Sequence, residues 1–193
     1  VEKNIVIQRF IDISIIKRKV EDIIVNVPNF PKVGIQFKDI TPLFKDINLL
    51  NDLIEYYALN IIADNNINKI VCIDSRGFIF GSLLAHKAGL PFILARKSGK
   101  LPRKTLAVSY ELEYGINSLE IHESDITPND NVLIVDDLLA TGGTIEAVSK
   151  LVIEAGGRII GIWNLIELDA LGGRAKIKKA INNKVKFYSL INY

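Results

Sequence analysis

The chain has 193 residues, 49% hydrophobic and 24% charged, which suits one folded domain with a buried core and excludes a disordered or fibrous class. A formal net charge of +2 is too mild to imply a nucleic-acid surface. The one cysteine, Cys72, excludes an internal disulfide and a multi-cysteine zinc site, and it fits a reducing compartment, the cytosol.

Apolar residues at helical spacing predict a first helix over residues 3–27, closed near Pro28, and "PNFPKVG" then reads as an extended turn segment. A second amphipathic helix is predicted over 46–66. "KIVCID" is an apolar run of strand length, followed by Gly77 and a third helical stretch through His86. "PFILAR" and "NVLIVD" are two further strands, "TIEAVSKLVIEAG" is a helix stopped by Gly156 and Gly157, and "RIIGIWNLIEL" is another buried strand. The Lys-rich tail "GGRAKIKKAINNKVK" reads as a solvated helix leading to a last strand. Continuous apolar strands alternating with helices predict an α/β fold with a central, mostly parallel sheet covered on both faces. Residues 98–123 break the pattern: the loose alternation of "TLAVSYELEYGINSLEIH" about "YGIN" predicts an antiparallel hairpin or long flap inserted between two sheet strands. No apolar run reaches the length of a membrane span, and "VEKNIVIQRF" lacks the basic-then-apolar layout of a signal peptide, so neither membrane nor export is expected.

In open parallel sheets ligands sit beyond the carboxyl ends of the strands, and "DSRG", "RKSGK" and "DDLLATGG" all fall there. "ATGGT", Ala140 to Thr144, precedes a helix, so its amides and the Thr141 and Thr144 hydroxyls can surround a phosphate, with Gly142 and Gly143 allowing close backbone approach. A Gly-Gly pair by itself also makes an ordinary strand-to-helix turn. No Lys follows the glycines as a Walker loop needs, and there is no G-x-G-x-x-G fingerprint, which argues against ATP hydrolysis and dinucleotide binding. Asp136 and Asp137 change the balance: adjacent carboxylates repel and serve no core, whereas a ribose diol beside a phosphate turn would use both.

With four aliphatics, two acids, small residues and "TGGT", residues 132–144 resemble the phosphoribosyl-pyrophosphate signature of the type I phosphoribosyltransferases. "FPKVGIQFKDITPLF", "IDSRGFIFG", "RKSGKLP" and "SYELEYG" are similar, in this order, to the adenine-specific members of that family, from about residue 28 onward. The resemblance implies a single phosphoribosyltransferase domain over 1–193, with a base-binding hood loop at 28–45 and the flap at 98–123. It implies synthesis of AMP and pyrophosphate from adenine and 5-phosphoribosyl 1-pyrophosphate (PRPP) in purine salvage, with Mg²⁺ carried mainly by PRPP, in a cytosolic homodimer without nucleic-acid or membrane partners. The 5′-phosphate would lie on Ala140, Thr141, Gly142, Gly143 and Thr144, and Asp136 and Asp137 would hold the ribose hydroxyls under an oxocarbenium-like transition state. Ser75, Arg76, Arg96, Lys97 and Lys100 would bind pyrophosphate, with a cis bond between Asp74 and Ser75. Glu113, the second Glu of "SYELEYG", would meet N7 of adenine as a general acid, and Tyr110 and Tyr114 would either close over the nucleotide or pack on the sheet edge.

Adenine would lie between Phe37 and Leu168, read by the backbone of Gln36 in the "GIQFKD" loop, with Arg76 at N3. Two departures from the family pattern bear on the base: Lys38 stands where an Arg is usual, and Gln36 where an aliphatic residue is. The alternatives are transfer to hypoxanthine, guanine or xanthine, or a PRPP-sensing regulator; the flap motif opposes the first, and the low charge and the retained Glu113 oppose the second. Cys72, His86, His122 and Trp163 are read as structural or solvated.

Overall fold

A computed structural model describes residues 12–112, 115–181 and 185–193. The chain divides into two compact units, the first running through Tyr56 and the second spanning Tyr57–Tyr193.

In the first unit, α1 (Ile13–Ile23) begins at Asp12, whose carboxylate accepts from the Ser14 amide at 2.8 Å, and its apolar stripe buries Ile16 and Val20. The helix expected to reach residue 27 stops earlier, because Ile24 turns to extended backbone and Val25–Pro28 forms β1. Strand β1 pairs antiparallel with β2 (Gln36–Asp39), so "GIQFKD", read above as a loop, is mostly strand. Alternating valines ending at a proline suit an edge strand, where the missing N–H costs no ladder bond. The connecting turn holds a cis Phe30–Pro31 bond, and the Phe30 and Phe37 rings meet edge-on at 5.0 Å. A 3₁₀ turn over Thr41–Lys45 leads into α2 (Ile47–Tyr57).

The second unit is a seven-stranded sheet. A π-helical turn over Ala58–Ile62 extends α2 toward β3 (Lys69–Ile73), which is followed by α3 (Gly77–Ala88) and β4 (Phe92–Lys97). The antiparallel hairpin β5 (Thr105–Leu112) and β6 (Gly115–His122) comes next, then β7 (Asn131–Leu139), α4 (Gly143–Glu154), β8 (Arg158–Glu167), α5 (Gly173–Ala180) and β9 (Lys186–Asn192). The spatial order is β5-β6-β4-β3-β7-β8-β9, parallel from β4 to β9 and antiparallel at the hairpin. This is the mostly parallel, helix-flanked α/β sheet expected from the alternation of apolar strands and helices, with the insertion folded as a hairpin.

Period-two alternation sorts the strand residues between two cores. Val71, Ile73, Val132 and Ile134 join Ile145, Val148 and Leu151 of α4 in one cluster. On the other face the fully buried Trp163 meets Tyr57 and Phe80 with ring centroids 5.4 and 5.3 Å away. Burial of Cys72 pushes its thiol up to about 12, so the cysteine is structural. No helix among the described residues is long and apolar enough to cross a membrane.

The topology sets the site. From β3 the chain crosses through α3 to β4 on one side, and from β7 it crosses through α4 to β8 on the other, while β3 and β7 are direct neighbours. The strand order therefore reverses between them, and their carboxyl ends open into a crevice.

Candidate active site

That crevice is a cleft of about 320 Å³ lined by Asp74, Ser75 and Arg76 from the end of β3 and by Asp136 to Ile145 from β7, the following turn and the start of α4. The "DSRG" and "DDLLATGGT" segments, which start 62 positions apart in sequence, thus face one cavity. The Asp74–Ser75 peptide bond is cis.

The aliphatic run of β7 is consumed by the core, and its last residues carry the acids to the rim. Asp136 and Asp137 are only 9% and 6% exposed. The Asp137 amide donates to Asp136 Oδ1 at 2.9 Å, and Arg76 Nη2 stands 2.8 Å from Asp137 Oδ2. Burial, and after it the charge of Asp137, raises Asp136 well above the ordinary carboxylate range; burial also raises Asp137, opposed by the Arg76 guanidinium. Two buried carboxylates beside one guanidinium can accept from a ligand that carries hydroxyl donors.

Beyond the acids, the Ala140–Thr144 turn enters α4. Gly142 has φ +80°, and a Cβ there would lie 2.7 Å from the Gly173 carbonyl oxygen, so this position takes glycine on both counts. The amides that precede the first helical bond of α4, from Glu146 N to the Gly142 carbonyl at 2.9 Å, have no i−4 acceptor and lie at the positive end of the helix dipole, which suits a phosphate. Glu146 in that turn is drawn outward by Lys150 at 2.7 Å and Lys176 at 3.3 Å, which hold its carboxyl below the usual range.

The expected pyrophosphate residues separate. Ser75 and Arg76 line the cleft. Arg96 stands at its edge, with Nε 3.4 Å from Asp74 Oδ2 and Nη1 donating to the Lys100 carbonyl at 3.2 Å. Lys97 and Lys100 are exposed and do not line the cavity. Sequence reasoning missed Glu120, 4% exposed on β6, whose Oε1 accepts from the Lys100 and Leu101 amides at 3.1 Å each while Oε2 accepts from Thr105. Glu120 alternates with Leu119 and Ile121, which join the α4-facing cluster, so it lies on the other face of the strand, a position that no spacing rule marks as part of a site. Asp74, which opens the "DSRG" motif, is the anchor of Arg96.

Tyr110 packs beside α4 in a recess with Glu146, Ala147, Lys150 and Lys176, so of its two expected places the structure takes the sheet edge rather than the cleft. Glu113 and Tyr114 lie outside the described residues. Leu168, half-buried, is tied to the end of β7 by its amide, which donates to the Leu139 carbonyl at 2.9 Å. Gln36, Phe37 and Lys38 stand on β2 of the first unit, where the Gln36 carboxamide oxygen accepts from Asn26 Nδ2 at 3.0 Å. Among the described residues no group of three or more His, Cys, Asp or Glu side chains can hold a metal ion by itself.

Comparison with known proteins agrees with this geometry. A family profile described as "Phosphoribosyl transferase domain" matches residues 44–191. The chain is 46% identical over 164 residues to an adenine phosphoribosyltransferase of Clostridium botulinum, covering 85% of this chain and 95% of the relative. It is similar in structure to adenine phosphoribosyltransferase from Rhodothermus marinus (TM-score 0.84, 43% identity, 93% of this chain and 99% of the other). A Saccharomyces cerevisiae adenine phosphoribosyltransferase, complexed with D-2,5-dideoxy-2,5-imino-altritol 1,6-bisphosphate and adenine, superposes with a TM-score of 0.85 at 35% identity over 92% of this chain and 99% of the other. The chain therefore belongs to the phosphoribosyltransferase family, among its adenine phosphoribosyltransferases.

Proposed function

We propose that the chain transfers the 5-phosphoribosyl group of PRPP to adenine, forming AMP and releasing pyrophosphate, in purine salvage. The observation that carries the reading is the switch-point cleft, in which Asp136 and Asp137 stand between the Arg76 corner and the Ala140–Thr144 turn. The turn receives the 5′-phosphate, and the two carboxylates accept from the ribose hydroxyls. As the bond to pyrophosphate lengthens, the anomeric carbon gains positive charge, which the Asp136 and Asp137 carboxyl oxygens near the sugar stabilise. Arg76 offers a planar set of donors to the leaving pyrophosphate, and Arg96, held by Asp74, adds charge at the rim. Glu113 is assigned to N7 of adenine: its carboxylate accepts the proton that the base gives up as N9 attacks the anomeric carbon, and the protonated acid returns it in the reverse reaction, while closure of the flap excludes water from an electrophilic sugar.

Mg²⁺ fits as a companion of the diphosphate rather than as a caged ion: a hard cation held by substrate phosphates needs one or two protein carboxylates at most, and the cleft offers Asp136, Asp137 and Asp74. When bound, it supplies charge neutralisation for the pyrophosphate. Base selection is assigned to Gln36, Phe37 and Lys38 with Leu168. The hydrogen bond from Asn26 turns the Gln36 side chain along its own hairpin and leaves base reading to the backbone, which supports adenine over an altered preference. A homodimer and a cytosolic location complete the proposal; the buried, unreactive Cys72 suits the latter. AMP formation from adenine, PRPP and Mg²⁺ tests the reading directly, and an inactive chain that nevertheless binds PRPP would favour a sensor.

A further inference from the structure

The floor of the phosphate turn is made by a separate segment. Gly173, the first residue of α5, sits so close beneath the turn that a Cβ on it would collide with the Ala140 carbonyl oxygen and come within 2.9 Å of the Gly142 amide nitrogen. The next residue, Arg174, reaches back to Glu167, the last residue of β8, which is 3% exposed. Arg174 Nε donates to Glu167 Oε1 at 2.8 Å and Nη2 donates to Oε2, an oxygen that also accepts from Ser189 Oγ at 2.6 Å. Both carboxylate oxygens are engaged, and two parallel bonds fix the plane of the guanidinium as well as its distance. The pair closes a tight connection in which Gly172 takes φ +67° and its carbonyl accepts the Lys176 amide at 3.1 Å.

We propose that the Glu167–Arg174 pair is a positioning device for the sugar-phosphate site. It pins the first turn of α5 so that the Gly173 backbone backs Ala140 to Gly142 and holds the turn amides aimed into the cleft. The Arg174 side chain is 37% exposed against 3% for Glu167, so as charge alone the pair contributes little to stability. It fixes a direction one residue away from a backbone contact with no room for a methyl group. A displacement of α5 by a few tenths of an ångström would therefore be felt in the turn. The inference rests on the phosphoribosyl reading of residues 140–144.

The test is calorimetric binding of ribose 5-phosphate to the parent chain and to Arg174→Gln, Arg174→Lys, Gly173→Ala and the Arg174→Gln/Gly173→Ala double variant, with thermal unfolding and steady-state kinetics alongside. Arg174→Gln is expected to weaken ribose 5-phosphate about tenfold or more while KM for adenine moves less than about twofold. Arg174→Lys falls between, since the charge remains and the fork is lost. The double variant should be little weaker than the worse single one, because both act through the same contact. Should Arg174→Gln not fold, Arg174→Lys carries the same comparison. Unchanged ribose 5-phosphate affinity in the folded Arg174 variants, even with a lower Tm, would overturn the proposal and leave the pair a stabilising contact. A parent chain that does not bind ribose 5-phosphate would overturn the phosphoribosyl reading itself, and the inference with it.

Discussion

Substituting Gly142→Ala probes the phosphate turn at its tightest point. Two costs add there. An L-residue at φ +80° is strained by roughly 1–2 kcal/mol. The new Cβ would also lie 2.7 Å from the Gly173 carbonyl oxygen and 3.0 Å from its Cα, both backbone atoms that cannot rotate away, an overpacking worth about 1–3 kcal/mol. Together they come to about 2–5 kcal/mol, or a fall in Tm of roughly 4–20 °C for a chain of this size. Gly89 supplies the control: it has φ +66° with nothing within 4 Å of its would-be Cβ, so Gly89→Ala carries the strain without the clash. Differential scanning calorimetry of both variants, with ribose 5-phosphate titrated into each, separates the two terms. Gly142→Ala should lose more stability than Gly89→Ala and should also bind ribose 5-phosphate at least about tenfold more weakly, because relieving the clash moves the turn amides. Equal stability losses with unaltered ligand affinity would refute the packing of Gly142 on Gly173 as the reason for glycine.

Asp136→Asn should stabilise the ligand-free protein at neutral pH while lowering turnover. Burial and Asp137 raise the Asp136 carboxyl in the folded state, so the folded chain holds its proton longer than the unfolded chain does, and stability falls as pH rises from the unfolded value through the raised one. Asn removes that loss, and a Tm at pH 8 no higher than the parent's would contradict it. Glu113→Gln should lower turnover by roughly 10² to 10⁴ with ribose 5-phosphate binding retained, as measured by initial rates and calorimetry; undiminished turnover would remove Glu113 from proton transfer at the base. With its thiol pushed up to about 12, Cys72 should label with a thiol reagent at pH 8 only as fast as the chain unfolds, and rapid stoichiometric labelling of the native protein would contradict its burial.

The cleft was legible because its pieces are local. An aliphatic run ending in two acids and a glycine pair specifies strand, rim and turn within residues 132–144, and the topological rule for parallel sheets brings "DSRG" to the same edge. Strand β1 was not legible: Val25 to Pro28 is too short for a two-residue period to separate from the helical spacing before it. The alternation in "SYELEYG" identifies a strand without saying which neighbour each face meets, which is why Tyr110 could be expected either over the nucleotide or on the sheet edge, and only the structure puts it beside α4. Glu120 and the Glu167–Arg174 pair depend on contacts across strands and across a turn that no spacing rule anticipates.

The most direct test of the account is pyrophosphate release from PRPP and Mg²⁺ with adenine, hypoxanthine, guanine and xanthine compared in parallel. Release with adenine alone is the predicted result. Release with an oxo-purine instead would contradict the base reading on β2, and no release with any of the four would contradict phosphoribosyl transfer as the function of the cleft.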